Sequence, residues 1–355
     1  MKKLKMPALL LAASVLFTLA ACQPSSSSTE PSKEVTPASS PEPSAAPTES
    51  PGLADDEEPD IRFAVLSGPT GVGAAKLLDG VDNDPASLHA SYSYTINTDN
   101  SELVAGLSNG EIDIATTASN VAVNLYNKTD GGVKIIAVGT LGVLHILEGN
   151  GGTSINSMAD LAGKTLYAAG QGANPEYVLR YLLKENGLED VEVVFADASE
   201  ISVKLLSGEI ECAMLPVPAA TAAIAKGEGK VRQAIDLTEA WDALRNGSQL
   251  IMTAVVARTE FVEAHPDKVE AFLTDYEASI RYVKDNVDAA SELVAGYNIT
   301  PSAGIAKQAI PQCHLVFISG ADMVASISDY YSVLYSIDPA SVGGTLPDAD
   351  IYWMG

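Results

Sequence analysis

Two separate stretches carry one pattern: Gly110-Glu111-Ile112-Asp113-Ile114-Ala115 and Gly208-Glu209-Ile210-Glu211-Cys212-Ala213. Each follows a Leu-rich amphipathic segment, Ser101 to Asn109 and Ser199 to Ser207, with a Ser or Asx residue placed to cap a helix. Upstream of the first copy, the apolar run Ile61 to Leu66 meets Ser67-Gly68-Pro69-Thr70-Gly71 and then a helical pattern. Upstream of the second, Lys164 to Ala169 meets Gly170-Gln171-Gly172-Ala173-Asn174-Pro175 and a helix through Leu183. Each half therefore reads strand, glycine-rich turn, helix, strand, helix. That alternation predicts an α/β fold with parallel sheets and helices on both faces.

Sheets of this kind carry ligand loops at the carboxyl ends of their strands. Four loops occupy such places: Ser67 to Gly73, Thr116 to Asn120, Gly170 to Asn174 and Met214 to Ala219. Glycine lets a backbone approach a ligand closely, and a helix starting after the turn aims free N–H groups at it. A lone glycine turn reads as chain reversal, but four at equivalent places in a duplicated unit read as one shared cleft. None of the four contains Lys, Arg, Asp or Glu. The expected ligand is therefore a neutral or zwitterionic compound, flat enough to stack on Tyr92, Tyr94 or Tyr177. A small anion held by helix N-termini alone is the alternative. Two β-branched apolar runs, Lys134 to Leu147 and Gln249 to Ala257, are expected to cross between the lobes as hinge strands. His145 lies in the first and reads as a structural residue.

The 296 residues from Asp60 to Gly355 exceed a typical single core and suggest two lobes. A net charge of −25 excludes nucleic acid, whose phosphates demand basic patches, and opposes long-range steering of strongly anionic ligands. Cys212 in an apolar run and Cys313 after a proline turn read as two buried free thiols, with a disulfide as the lesser alternative.

The N-terminus has a different character. Lys2, Lys3 and Lys5 precede the uncharged apolar run Pro7 to Ala21, too short and too early for a membrane span but suited to a secretory signal peptide, residues 1–21. It ends in Leu19-Ala20-Ala21-Cys22, which resembles a bacterial lipobox and implies lipidation of the Cys22 thiol. Two or more acyl chains make a stable anchor where one is marginal. Gln23 to Pro59 is rich in Ser, Pro, Thr, Ala and Glu, and reads as a disordered tether between anchor and body.

Catalytic signatures are lacking. Gly163-Lys164-Thr165 imitates the end of a phosphate-binding loop, but the upstream glycine position holds Met158. The four histidines are scattered singly, without zinc-ligand spacing, and no Gly-x-Ser-x-Gly elbow occurs. Cys313 and His314 are sequence neighbours, which is not how a thiolate–imidazole pair is assembled. Glu111 and Asp113 read as strand-edge and turn residues. No cofactor, metal or catalytic residue is expected.

Several motifs in order resemble the substrate-binding lipoproteins of nitrate/sulfonate/taurine-type ABC importers, a group that also includes binders of thiamine-pyrimidine precursors. They are Gly68-Pro69-Thr70-Gly71, Leu107 to Asn120, Leu161-Ala162-Gly163-Lys164-Thr165, Met214-Leu215-Pro216-Val217-Pro218 and His265-Pro266-Asp267. The resemblance covers Ile61 to Trp353. It implies a two-lobed periplasmic-binding-protein fold of type II, with residues 60–143 and 252–355 forming lobe 1 and residues 144–251 forming lobe 2. By loop position it implies a ligand at Ser67, Pro69, Thr70, Gly71, Thr117, Ser119, Asn120, Gln171, Gly172, Asn174 and Pro218. It further implies a monomer that serves an ABC permease–ATPase complex from the extracytoplasmic face of the cell membrane, as on a Gram-positive surface. Many relatives carry an acidic residue between the two prolines where this chain has Val217, so a carboxylate role there does not carry over. The rival readings are an enzyme on the same fold, resembling chorismate dehydratases or thiamine-pyrimidine synthases, and a lipoprotein sensor module. The synthases carry a cysteine-rich motif absent here, and the lipobox opposes an intracellular enzyme.

Overall fold

The computed structural model of the chain describes residues 58–355; the expected signal peptide, Cys22 and nearly all of the tether lie outside them. The chain opens with β1 (Ile61–Leu66), α1 (Pro69–Val72), α2 (Ala75–Asn83), β2 (Tyr92–Asn97), α3 (Asn100–Asn109), β3 (Ile114–Ala118), α4 (Ser119–Lys128) and β4 (Val133–Thr140). The middle part holds β5 (Leu144–Glu148), β6 (Thr165–Ala168), α5 (Asn174–Glu185), β7 (Glu192–Phe195), α6 (Ala198–Ser207), β8 (Cys212–Pro216), α7 (Ala219–Lys226), β9 (Arg232–Asp236) and α8 (Leu237–Ala243). It closes with β10 (Thr253–Arg258), α9 (Thr259–Ala264), α10 (Pro266–Asp285), α11 (Val287–Gly296), α12 (Ala303–Ala309), β11 (Leu315–Ile318) and α13 (Gly320–Ile337).

These strands make two sheets, one ordered β11-β4-β10-β3-β1-β2 and the other β7-β6-β8-β5-β9. Apart from β11, which has no counterpart, the second sheet repeats the first, with β6, β7, β8, β9 and β5 in the places of β1, β2, β3, β4 and β10. The repeated Gly-Glu-Ile stretches play one role in both. Gly110 and Gly208 end α3 and α6 in the left-handed conformation, φ 85° and 79°, which spares the closing turn a Cβ clash. At the other end of α3, Asp99 accepts a hydrogen bond from the Ser101 N–H.

Parallel pairing holds for β1 with β2 and β3, and for β6 with β7 and β8. The sheets are mixed rather than wholly parallel, however. β10 runs antiparallel to β3 and β4, β11 is antiparallel to β4, and β5 is antiparallel to β8 and β9. The strands β5 and β10 each enter their sheet from the other lobe, so their direction opposes that of the strands already there. For the same reason neither expected hinge run is one strand. The first divides at Leu141–Val143 into β4 and β5, and in the second Gln249–Met252 is irregular ahead of β10.

Because three residues separate β4 from β5, the end of one sheet where β1 and β3 finish abuts the end of the other where β6 and β8 finish. The loops after those strands meet there. The far end of lobe 1 is closed by charge. Asp113, 3 % exposed, takes Arg62 Nη2 at 2.6 Å and Arg258 Nη2 at 2.9 Å, so it is a buried clamp and not the turn residue its neighbours suggested. Burial raises its pKa, but the hydrogen bonds from Arg62 and Arg258 outweigh burial and leave the carboxyl below its ordinary range. In lobe 2, the buried Glu148 is likewise held by Arg232 and by the Ser154 N–H at 2.9 Å.

Candidate functional site

β3 ends at Ala118 and α4 begins at once, so the first turn of α4 stands at the junction of the lobes. Ser119 is buried there. Its N–H donates to the Met252 carbonyl at 3.0 Å and its hydroxyl to the Ile251 carbonyl at 2.7 Å. From lobe 2, Asn174 at the start of α5 reaches the same place. Its Nδ2 donates to Ser119 Oγ at 3.0 Å and to the Ile251 carbonyl at 3.2 Å, while the Tyr330 hydroxyl donates to its Oδ1 at 2.7 Å. The Tyr331 hydroxyl donates to the Ser119 carbonyl at 2.8 Å. Ser119 and Asn174 are thus brought together, but they spend their polar atoms on each other and on the protein. Sequence reasoning missed Tyr330 and Tyr331, whose signal is a pair of tyrosines inside the largely apolar α13.

Beside this lock lies a cavity of about 300 Å³ between α3 and α4 of lobe 1 and Gly172 and Tyr177 of lobe 2. Asn100, Asn120 and Asn124 line it. Asn120 is 4 % exposed, and its Oδ1 is buried without a hydrogen-bond partner among the protein's groups. Its own carbonyl is held by Asn124 Nδ2 at 2.7 Å, while Asn100 Oδ1 accepts from the Thr117 hydroxyl at 2.9 Å. Two of the expected ligand residues, Asn120 and Gly172, therefore face one space. Tyr177 joins them. Tyr92 and Tyr94 do not, because their hydroxyls are bonded to Asp275 and Asp82 inside lobe 1.

The remaining expected residues are placed as follows. Ser67 sits at the end of β1 with its hydroxyl 3.4 Å from the Asn298 carbonyl, and Pro69 opens α1. Thr70 turns its hydroxyl back to the Leu66 carbonyl at 2.9 Å, and Thr117 is buried against Asn100. Gly71 serves packing, since a Cβ there would lie 2.6 Å from the Leu66 carbonyl oxygen and 2.9 Å from Val65. Gln171 is exposed, and Pro218 follows a cis peptide bond at the mouth of β8, where the Val217 N–H donates to the Val143 carbonyl.

Behind the crossing segment, on the side of β9 and β11, a second cavity of about 610 Å³ is lined by residues of both lobes, including Leu141, Asp236, Thr238, Lys284 and His314. His145 stands next to it, 1 % exposed, with Nδ1 3.7 Å from Asp236 Oδ2 and neither ring nitrogen hydrogen-bonded. It is structural in place but not satisfied by a partner. Cys212 and Cys313 are free and buried, and burial pushes both thiols up to about 12, which leaves no thiolate at neutral pH.

A two-lobed α/β body with a cavity between its lobes defines a class, and the comparisons give it a family. Residues 92–290 match the sequence model of the NMT1/THI5-like family, and the chain belongs to that family. Its fold is the type II periplasmic-binding-protein fold. A solved structure described as an ABC transporter from Parabacteroides distasonis matches with a TM-score of 0.69 at 24 % identity, over 82 % of this chain and 98 % of that one. The periplasmic aliphatic sulphonate binding protein SsuA from Escherichia coli matches with a TM-score of 0.67 at 16 % identity, over 83 % and 92 %. The alkanesulfonate-binding protein SsuA from Xanthomonas axonopodis pv. citri, bound to MOPS, matches with a TM-score of 0.61 at 13 % identity, over 83 % and 98 %. No curated protein sequence matches.

Proposed function

We propose that this protein is the solute-binding component of an ABC importer and captures a small organic molecule between its lobes, without catalysing a reaction on it. The observation that carries this reading is Asn120. A buried acceptor with no protein partner costs about 1–3 kcal/mol, and a ligand that supplies the missing donor removes that cost. Across the cavity stand Gly172 and Tyr177 of the other lobe, so a solute here touches both lobes and favours the closed arrangement. The names of the structural neighbours support an importer over an enzyme. The lobe limits near residues 143 and 251, the monomeric state, the Cys22 lipid anchor and a place outside the cell membrane belong to the same reading.

Thermal-shift screening against neutral heterocycles, amides, amino acids and sulfonates tests it. A solute at a hundred times its Kd stabilises the native state by about 2.7 kcal/mol, enough to see. Asn120→Ala is expected to weaken a true hit by about tenfold to a hundredfold, since it removes a ligand hydrogen bond but no protein contact of Oδ1. Hits indifferent to Asn120 would place the ligand elsewhere.

A further inference from the structure

We propose that the cavity behind the crossing segment is a second binding site, apart from the Asn120 cavity, for a small organic cation that carries an ammonium group on an apolar body. Its anchor is Asp236. Buried carboxylates elsewhere in the chain are matched by arginine: Asp113 by Arg62 and Arg258, and Glu148 by Arg232. The Asp236 side chain is only 15 % exposed, and among the described residues no lysine or arginine pairs with it. Its Oδ1 caps α8 by accepting the Thr238 N–H at 2.8 Å, while Oδ2 accepts no hydrogen bond from the described residues. His145 Nδ1 stands 3.7 Å from Oδ2, too far for a hydrogen bond. The cavity is thus offered a carboxylate oxygen that the protein leaves open.

Unpartnered polar atoms flank this carboxylate. Both ring nitrogens of His145, which is 1 % exposed, lack a hydrogen bond, and so does the Thr238 hydroxyl on the cavity wall. Buried polar groups without partners are costly, and a bound donor relieves that cost. An ammonium brings three donors; Asp236 Oδ2, Thr238 Oγ1 and the imidazole lone pair are acceptors. Burial keeps His145 neutral near neutral pH, so it offers that lone pair and no competing charge. Glu239 and Asp242 stand on the same lobe-2 wall and, with Asp236, outnumber Lys284 across the cavity by three charges to one. The net charge of −25 draws cations toward the body from a distance. The wall from lobe 1 is largely apolar, with Val287, Ile310 and Pro311 placed to receive a hydrocarbon body. At about 610 Å³ the space suits a small organic molecule. Its walls belong to different lobes, so the occupant sits at the pivot of closure.

Calorimetric titration of the purified full chain with benzylamine is the test, with benzyl alcohol as the uncharged counterpart. The wild type is expected to bind benzylamine at a single site with submillimolar Kd, and benzyl alcohol at least about tenfold more weakly. Asp236→Asn keeps a side chain able to cap α8 but drops the charge, and is expected to weaken benzylamine by at least about tenfold. Asp242→Lys, on the exposed rim of the cavity, is expected to act in the same direction and carries the comparison if the Asn variant does not fold. Asn120→Ala, in the other cavity, is expected to leave benzylamine binding unchanged. Failure of the wild type to bind at submillimolar concentration, equal affinity for the alcohol, unweakened binding by the folded variant, or a loss confined to Asn120→Ala overturns the proposal.

Discussion

Asn174 uses both ends of its amide inside the protein, and this sets what its removal does. Asn174→Ala removes the buried acceptor of the Tyr330 hydroxyl and the Nδ2 donor to Ser119 Oγ, which keeps its own bond to the Ile251 carbonyl. The expected loss is about 2–3 kcal/mol of stability, seen as a melting temperature lower by about 5–10 °C. A melt unchanged from wild type would show that the lock is not formed in solution. The contrast with Asn120 is instructive. Both residues stand at the start of a helix after a strand and look alike in the sequence. One is fully bonded, the other holds an acceptor open, and only the packing separates them. Tyr330 lies 156 residues from Asn174 and Tyr331 lies 212 from Ser119, so no local pattern announced either contact. Asp113 was misread for the same reason, since its two arginines come from β1 and from the end of β10.

Among elements, the crossing β4–β5 is where chemistry and motion meet. Burial lowers the pKa of His145, with the Asp236 carboxylate opposing that shift and His314 adding to it. The native state therefore resists a proton that the unfolded chain accepts near its ordinary value of about 6.5. Stability from this residue is full above that value and is lost as the pH falls through it toward the lowered native pKa. His145→Gln is expected to flatten the pH dependence of the melting temperature just below neutrality. Denaturation measured across that range checks it, and an unaltered slope would put the dependence elsewhere. Elements with strong punctuation were legible in the sequence: Ile61 to Leu66 is β1 as read, and both helices before the repeated Gly-Glu-Ile stretches stand within a residue of their expected starts. Strand direction was not legible, because apolar composition does not record which lobe a strand comes from. The short β11 escaped for want of length, and the run Leu250–Met252 ahead of β10 is apolar because it is buried between lobes, not because it forms a strand.

For the whole molecule, two properties follow from one architecture. The first is attachment. Replacing Cys22 by Ala is expected to abolish incorporation of labelled fatty acid and to release the protein or leave it unprocessed; a variant that still takes up label would refute the anchor. The second is closure. The loops after β3 and β6 meet across the lobe junction, and the cavity there is walled from both sides. A solute bound to both walls lowers the free energy of the closed form alone, and its affinity reports that difference.

Small-angle scattering on the protein with and without a solute from the screen, joined to hydrogen exchange on the same samples, tests this central claim most directly. The expected result is a smaller radius of gyration with solute, together with protection of the α4 start in lobe 1 and the Gly170–Asn174 turn in lobe 2. A solute that protects one lobe only and leaves the radius of gyration unchanged would contradict capture between the lobes, even on this fold.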